Sequence, residues 1–337
     1  MKAPAITLSL CIPTLNRGAV IGETLESIIG QATEAVEIVV VDGASTDNTE
    51  DVVREYQRRF PRLRYVRRAG NMGVERDTDK AVELAQGEYC WLMCSDDVLR
   101  PGAIAAVLGA IQGGYELVIV NAEVRNVDLS QVLEPAKLQF PEDRVYGPEE
   151  LERLFVETAD YLSYMGAVVI RKALWDSRSK DGYLDTDFLH VGVIFQRPIP
   201  ERAMVLATPW ISIRYGNATW TPREFELWAV NWPKVVWSFP HFPESVKRGI
   251  CVREGWLDIR RMIVQRACGT FSTREYDRWI RPGPGPRLGK LVVRAISLLP
   301  VRVLNLLTVA YFARRSDRRA TLLALRQSRV AGGLVKR

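Results

Sequence analysis

Residues 36–49 read VEIVVVDGASTDNT, an apolar run interrupted only by Glu37 that ends in a polar, turn-forming sequence. Such a run, bounded by a turn, is typical of a strand that is buried on both faces. The same pattern recurs in ITLSLCIPTLNR at residues 6–17 and in EYCWLMCSDD at residues 88–97. Stretches with helical spacing, such as residues 20–31 and 77–86, separate these strands. We therefore predict an α/β fold: a mainly parallel sheet with helices on both faces.

Polar side chains follow each of the three predicted strands. They occupy positions 14–17, 42–48 and 95–97. In open parallel sheets, ligands bind outside the carboxyl ends of the strands. The sequence therefore predicts one ligand site that is built from all three turns.

The third turn carries two adjacent carboxylates, Asp96 and Asp97. At a strand end they repel each other unless a cation or a hydrogen-bond donor compensates, and a hard divalent ion bridging to phosphate would do so. The alternative is that Asp97 caps the following helix.

The first two turns are suited to a nucleotide. Asp42 ends a buried strand, where its carboxylate needs a donor such as a nucleobase N–H or a backbone N–H. In the first turn we expect Pro13 to stop the strand, and Thr14 and Asn16 offer short polar side chains beside the cation of Arg17. This turn could hold base and phosphate, or it could be a plain loop.

The order and spacing of these segments resemble the nucleotide-binding half of glycosyltransferase family 2, whose members are inverting enzymes of the A-type fold. The resemblance covers residues 6–120. It is carried by PTLNR (13–17), VVVDGASTD (39–47), N-x-G (71–73), GEY (87–89) and SDD (95–97). The stretch GVERDTDKAVELAQGEYCWL, with the SDD that follows it, looks closest to abequosyltransferase-like members, which build bacterial surface polysaccharides.

The resemblance implies a nucleotide-diphosphate sugar as donor and Mg²⁺ or Mn²⁺ as cofactor. The donor-binding residues would be Pro13, Thr14, Asn16, Arg17, Asp42, Arg76, Ser95 and Asp96. Asp96 would bind the metal, with Asp97 supporting it at the metal site. Cys94 stands where the family has its first acid, and VDGAS has one acid fewer than the usual V-D-D-G-S.

The family's catalytic base is an Asp near a downstream helix, and residues 182–195 match that region. Asp187 and His190 are three residues apart, so on a helix they would share a face. Either could take the acceptor's proton, or Asp187 could orient His190. The alternative is that His190 lies in the core. Farther along, Arg214, Asn217 and Trp220 suit a sugar acceptor or a structural corner.

The C-terminal segment is basic, since Asp317 is the only acid after Arg278. Apolar residues between 287 and 315 alternate with Lys and Arg, without any run of 18 apolar residues. This pattern favours helices that lie in the plane of an anionic membrane surface; the alternative is helices packed on the catalytic domain. We expect a nucleotide-binding half (1–125), an acceptor half with a helical extension (126–280), and a linker with membrane-associating helices (281–337).

From these features we expect an inverting glycosyltransferase at the cytoplasmic face of the bacterial inner membrane. Its acceptor would be a polyprenyl-linked saccharide, which would explain the basic segment, and its oligomeric state is open. One alternative is a sugar nucleotidyltransferase, although PTLNRG lacks the expected Gly-rich loop with Lys. Another is a non-catalytic scaffold of the same fold, which the retained Asp42, Arg76, Asp96 and Asp97 disfavour. Few aromatic residues accompany the basic segment, which argues against nucleic-acid binding.

Overall fold

In a computed structural model of the protein, residues 6–217, 223–314, 319–328 and 330 are described. The chain forms two compact units that divide between Arg214 and Tyr215. This division differs from the boundaries expected near residues 125 and 280, because the strands of one sheet continue to Arg214.

The N-terminal unit begins with alternating strands and helices. They are β1 (Leu8–Thr14), α1 (Ile21–Ile29), β2 (Val36–Asp42), α2 (Thr49–Arg59), β3 (Leu63–Arg67), α3 (Val74–Leu84) and β4 (Tyr89–Leu92). Its second half continues with β5 (Val98–Leu99), α4 (Ala103–Ile111), β6 (Leu117–Arg125), β7 (Val132–Glu134), β8 (Arg144–Tyr146), α5 (Leu151–Leu162), β9 (Val168–Arg171), α6 (Lys172–Asp176), α7 (Leu189–Phe195) and β10 (Ala203–Arg214).

These strands form one ten-stranded sheet within the described residues. The order is β3-β2-β1-β4-β9-β6-β10-β5, with β7 added beside β6 and β8 beside β10. The pairings among β1–β4 are parallel, as is β6 with β10, whereas β9 runs antiparallel to both of its neighbours. The predicted α/β fold is therefore confirmed, with the longer pairings parallel. The short strands β5, β7 and β8 pair antiparallel at their places in the sheet, and β9 separates its two parallel portions.

Every residue of β1 and β2 is buried, as expected for strands covered on both faces. Pro13 does not end β1, contrary to the prediction, because the strand continues to Thr14. Pairing of β1 with β4 stops at Cys11, so no β4 residue is paired with Pro13. A proline is tolerated at such a position because the backbone N–H that it lacks is not required there.

A buried polar network fixes β1 against its neighbours. The Ser9 hydroxyl donates to Glu37 Oε1 at 2.6 Å and accepts the backbone N–H of Gly87 at 2.9 Å. The same Glu37 oxygen accepts the backbone N–H of Gln86 at 2.6 Å. Buried polar groups that are satisfied in this way give a unique register to an otherwise apolar sheet.

The longest strand of the sheet, β10, was not predicted from the sequence. Its sequence, AMVLATPWISIR, contains Pro209 and lacks a regular alternation. Its register with β6 shifts between Leu206 and Ile211, around that proline. The side-chain amide of Asn121 donates to the carbonyls of Ala207 and Leu138, at 2.7 and 2.8 Å, beside the irregularity. Tertiary contacts therefore stabilise a strand that local propensity does not favour.

The C-terminal unit is helical. Its α-helices are α8 (Glu224–Glu226), α9 (Trp232–Ser238), α10 (Glu244–Ile250), α11 (Ile259–Cys268), α12 (Thr273–Glu275), α13 (Arg287–Leu298), α14 (Val301–Phe312) and α15 (Arg319–Gln327). Val293 and Ile296 of α13 belong to its apolar core, together with Phe225, Trp256 and Phe271. The expected linker and terminal helices are therefore not separate from residues 223–280.

No single helix in the described part of the chain has both the length and the apolar character to cross a membrane. Helices α13 and α14 have that length and apolar character only when they are taken together, and they are bent by 96° at their junction. Pro300 lies at this junction.

Gly87 tests the packing of the β1 network. A Cβ at Gly87 would lie 2.7 Å from Ser9 Oγ and 2.8 Å from the Ser9 backbone nitrogen. Gly87→Ala should therefore lower the free energy of unfolding by about 1–3 kcal/mol through overpacking. Gly109→Ala is the matched control: it lies in α4, and its Cβ would meet nothing within 4 Å. The control should be neutral or raise stability by about 0.5–1 kcal/mol. Urea denaturation followed by circular dichroism measures both, and equal stabilities would contradict the expected overpacking.

Candidate active site

The turns that follow β1 and β2 are bonded to each other. The register places Thr14 opposite Asp42, and the Gly43 N–H donates to the Thr14 carbonyl at 2.9 Å. Asn16, which has a φ of 53°, donates its backbone N–H to Ser45 Oγ at 2.8 Å. Its side-chain oxygen accepts the Thr46 N–H at 2.7 Å. Asn16, predicted as a donor-binding residue, thus holds the two turns together in the structure.

Asp42 is fully buried at the end of β2. Its Oδ1 accepts the Ser45 N–H at 2.7 Å, and its Oδ2 accepts the Tyr65 hydroxyl at 2.6 Å. Burial raises the pKa of the Tyr65 hydroxyl, and the hydrogen bond to Asp42 raises it further. The phenol therefore keeps its proton and remains a donor. Backbone and phenol thus supply the donors that the sequence indicated Asp42 would need. Its remaining acceptor capacity can still face a nucleoside.

A second buried carboxylate, Asp77 of α3, lies beside Asp42. The Nε atom of Arg68 is 3.3 Å from Asp77 Oδ1. Burial raises the pKa of Asp77 to about 6 against the opposing effect of Arg68, and the charge of Asp42 adds to the rise. A Cβ on Gly43 would lie 2.8 Å from Asp77 Oδ2, so only glycine leaves room for this carboxylate.

The buried hydroxyl of Thr14 makes no hydrogen bond within the described residues and is a candidate donor for a ligand.

The acidic turn after β4 brings Cys94, Asp96 and Asp97 together, with one ligand atom from each within 4.8 Å of the others. Asp97 is buried, and its two oxygens accept the Tyr164 hydroxyl at 2.6 Å and the Arg214 backbone N–H at 2.8 Å. Burial raises the pKa of Asp97 to about 7, and the neighbouring negative charge of Asp96 contributes to the rise. A cation at this turn would offset that repulsion.

Arg214, which the sequence offered as an acceptor contact, instead organises this acidic turn. It is buried at the end of β10, and its guanidinium donates to the Asp96 carbonyl at 2.9 Å and to the Val127 carbonyl at 2.7 Å. It also forms an ion pair with Glu23 of α1 at 2.9 Å. The N–H groups of one guanidinium thus join three separate segments of the chain. Of its predicted companions, Asn217 lies in the C-terminal unit and Trp220 lies outside the described residues.

Arg17 joins the first turn to the third. Its guanidinium lies 3.4 Å from Asp96 Oδ2, and its backbone N–H donates to Thr49 Oγ1 at 2.8 Å. The three motifs predicted to converge therefore meet at one edge of the sheet. Ser95 is buried within the acidic turn.

The residues of the acidic turn fit a hard divalent ion. Asp96 is partly exposed and offers an oxygen ligand, whereas both Asp97 oxygens already accept hydrogen bonds. Burial, with the nearby Asp97 and Asp96, raises the pKa of the Cys94 thiol, which disfavours the thiolate that a metal needs. Mg²⁺ is commonly held by one or two carboxylates together with substrate phosphates. Asp96 is therefore the stronger ligand candidate, and Asp97 is placed to support it.

Asp187 and His190 do not share a helix face, contrary to the prediction, because α7 begins only at Leu189. Asp187 lies in the preceding loop with a φ of 67° and is half-buried. His190 is buried, and its Nε2 donates to the Leu162 carbonyl at 2.7 Å. Burial lowers the pKa of His190 to about 4. The geometry places His190 in the core and favours Asp187 as the candidate base.

Arg76 was predicted to face the donor's base or phosphate. In the structure its guanidinium is paired with Asp185, in the same loop as Asp187, and one of the two bonds is 3.0 Å. The helix that carries Arg76 begins at Val74, three residues earlier than predicted, after Gly73 with its φ of 91°. This earlier start places Glu75, Arg76 and Asp77 in the first turn of α3.

Comparison with known proteins identifies related sequences. Residues 9–176 match the model of the family described as glycosyl transferase family 2. The chain is 28% identical to abequosyltransferase RfbV of Salmonella typhimurium over 199 residues, which is 56% of this chain and 60% of that protein. It is 30% identical over 115 residues to a GalNAc(5)-diNAcBac-PP-undecaprenol beta-1,3-glucosyltransferase of Campylobacter jejuni, covering 34% of this chain and 37% of that one. The matches thus span about three fifths of the first relative and about a third of the second.

Solved structures share the fold. TarS residues 1–349 of S. aureus, in complex with UDP-GlcNAc, aligns with a TM-score of 0.57 and 17% identity over 95% of this chain and 92% of that one. The mannosyltransferase PcManGT of Pyrobaculum calidifontis, in complex with GDP-Man and Mn²⁺, aligns with a TM-score of 0.53 and 15% identity. That alignment covers all of this chain and 92% of the other.

The protonation of His190 gives a test of its place in the core. Between pH 6.5 and about 4, the unfolded chain binds a proton at His190 and the folded protein does not, so stability falls as the pH is lowered through this window. His190→Gln, whose amide can donate to the same Leu162 carbonyl, should remove this loss. Across the window, the free energy of unfolding of the variant should fall by up to about 3 kcal/mol less than that of wild type. Denaturation of both proteins across the window measures the difference. The same pH dependence in both would show that His190 titrates normally in the folded state.

Proposed function

Because the chain belongs to glycosyl transferase family 2, we propose that it transfers a sugar from a nucleotide-diphosphate sugar to a saccharide acceptor in bacterial surface polysaccharide synthesis. The observation that carries this proposal is the convergence of Thr14, Asp42, Arg17 and Asp96 at the carboxyl ends of β1, β2 and β4. The printed names of the two bacterial relatives, an abequosyltransferase and a glucosyltransferase, support the reaction type.

We infer that the donor's nucleoside binds against Thr14 and Asp42; this is supported by the buried unbonded hydroxyl of Thr14 beside the fixed carboxylate of Asp42. We infer that its diphosphate binds near Arg17 and Asp96, where a cation and a carboxylate are 3.4 Å apart. When bound to Asp96, Mg²⁺ or Mn²⁺ supplies positive charge that offsets the leaving diphosphate. The Mn²⁺ complex of the similarly folded mannosyltransferase supports this cofactor.

Asp187 is proposed to be the general base of an inverting transfer. The acceptor hydroxyl attacks the sugar's anomeric carbon from the face opposite the diphosphate, and Asp187 takes the hydroxyl proton. A new C–O bond forms as the bond to the diphosphate breaks, and the diphosphate leaves with the bonding electrons. Asp187 suits this role because it is half-buried on a loop, whereas His190 is enclosed and bonded to a carbonyl.

The acceptor is proposed to be linked to a polyprenyl diphosphate at the cytoplasmic face of the inner membrane, with the C-terminal unit on the anionic surface. Helices α13 and α14 bury one face in this unit and expose another that is rich in leucine. The exposed apolar residues are Leu288, Leu291, Val292, Leu298, Leu299, Val303, Leu306, Leu307 and Tyr311. Arg287 and Arg302 are exposed on the same helices. Apolar and cationic side chains side by side suit an interfacial helix.

The metal role is tested with Asp96→Asn. The variant should lose the Mn²⁺-dependent rise in melting temperature on adding CDP, GDP or UDP, because it removes the charge that holds the ion. Transfer should fall by about 10² or more, while circular dichroism stays native. Asp176→Asn, which changes an exposed Asp at the end of α6, is the matched control and should behave as wild type.

Two results would contradict this part of the proposal. Full transfer by Asp96→Asn, or by wild type in excess chelator, would remove the metal role. Nucleotide binding without transfer to any saccharide acceptor would instead favour a non-catalytic scaffold.

The membrane role is tested by point substitutions, because deleting residues 287–337 would remove Val293 and Ile296 from the core. Leu306 and Leu307 are 57% and 64% exposed, so replacing both with Gln should leave the fold intact. The double variant should float less with anionic liposomes, since each buried leucine contributes about 1.5–3 kcal/mol. Val156→Gln, on the exposed side of α5, is the control. Wild type that stays unbound to anionic vesicles would contradict the proposed location.

A further inference from the structure

The loop that carries Asp187 has a strained backbone. Asp185 and Asp187 have φ values of 65° and 67°, in the left-handed region, where residues other than glycine are uncommon. A residue in this region is strained, and the conformation persists only where its surroundings fix it. The contacts that hold this loop therefore decide where the Asp187 carboxylate lies.

Glu75, in the first turn of α3, supplies those contacts. Its side chain is buried, with 8% of the residue exposed, and its Oε1 accepts the Leu189 N–H at 2.9 Å. The Thr186 hydroxyl lies 3.3 Å from the same oxygen and accepts the Phe188 N–H at 3.1 Å. The Thr186 hydroxyl also donates to the Tyr183 carbonyl at 2.5 Å. The Glu75 side chain accepts backbone N–H groups from Asp185 and Leu189, so it is bonded to the backbone on both sides of Asp187.

The environment of Glu75 disfavours its charged form. Burial raises the pKa of Glu75 to about 7. The hydrogen bond from the Leu189 N–H lowers this pKa, and the nearby charge of Asp187 raises it. The neighbouring cation, Arg76, is directed to Asp185. A buried carboxylate is costly to keep where an apolar side chain would pack. A role in positioning accounts for a carboxyl group at this buried place.

The same turn of α3 also reaches the nucleoside turns. Asp77, two residues after Glu75, is paired with Arg68, and its carboxylate packs against Gly43. The first turn of α3 is therefore bonded to the loop of Asp187 through Glu75 and packed on the donor turns through Asp77. A rigid helical turn between them would fix the distance from the base to the bound donor.

We propose that Glu75 is a positioning residue that holds the Asp187 loop in its reactive conformation through the backbone N–H groups of Asp185 and Leu189. This inference rests on the proposed function, in which Asp187 is the base. Glu75 itself contacts no substrate. Its loss should lower the rate of the chemical step and leave donor binding unchanged.

The experiment compares Glu75→Ala and Glu75→Gln in the full chain, with a nucleotide-sugar donor and acceptor that wild type uses. Glu75→Ala removes the acceptor of the Leu189 N–H and should lower kcat on the order of 10- to 100-fold, with the donor KM and nucleoside diphosphate binding unchanged. Glu75→Gln keeps a carbonyl oxygen for that N–H and should restore kcat to within a few-fold of wild type. Glu83→Ala, an exposed Glu of the same helix, is the matched control.

A double variant shows whether Glu75 acts through Asp187. If it does, Glu75→Ala should add little to the loss caused by Asp187→Asn, because residues that act as a unit are not additive. A full additional loss would overturn the inference, as would a wild-type kcat in Glu75→Ala. If Asp187→Asn itself retains full kcat, the assigned base is wrong, and this result is distinguishable from a failure of Glu75 alone.

If Glu75→Ala does not fold, Glu75→Asp decides the matter. This change keeps the charge but shortens the side chain by one methylene, which withdraws the carboxylate from the Leu189 N–H. A loss in kcat with an unchanged donor KM supports the inference, and an unchanged kcat overturns it.

Discussion

Parallel pairing of β1 with both β2 and β4 is the constraint on which the site depends. It aligns Thr14 with Asp42 and Cys11 with Leu92, so the turns after all three strands open at one edge of the sheet. The network of Ser9, Glu37 and Gly87 fixes that alignment at the opposite ends of the strands. A shift of one residue would reverse every buried side chain and separate the three turns.

Negative charge is concentrated at this edge, and the fold compensates for it with donors from distant segments. Asp42 is held by Tyr65, Asp77 by Arg68, and Asp97 by Tyr164 and the Arg214 backbone. These contacts fix the positions of the carboxyl groups before any ligand binds, because each hydrogen-bonded group is held in one orientation. The raised pKa values of Asp77 and Asp97 show that the compensation is incomplete. A bound cation would complete it.

The structure confirms the packed face of α13 that one interpretation of the sequence expected, and the membrane contact expected by the other stays a prediction. Val293 and Ile296 pack in the core of the C-terminal unit, as in an ordinary helical domain, while Leu306 and Leu307 are exposed. Burial of one face fixes the helices, so the exposed leucines are presented as a surface. A composition rich in both leucine and arginine is what such a helix needs, and composition alone cannot distinguish the two faces.

The sequence determined the α/β class, the presence of strands β1, β2 and β4, and the motifs that meet at the site, because buried strands and polar turns are local patterns. It did not determine where β1 ends, since the strand continues past Pro13 to Thr14. It did not determine β10, where Pro209 and an irregular pattern mask a strand stabilised by β6. It could not assign Arg214 to the acidic turn or Glu75 to the Asp187 loop, since each partner is more than 100 residues away. For His190, spacing suggested a reactive face, yet only tertiary packing enclosed the ring and bonded it to Leu162. Burial and long-range hydrogen bonds depend on how distant segments pack, and no local pattern contains that information.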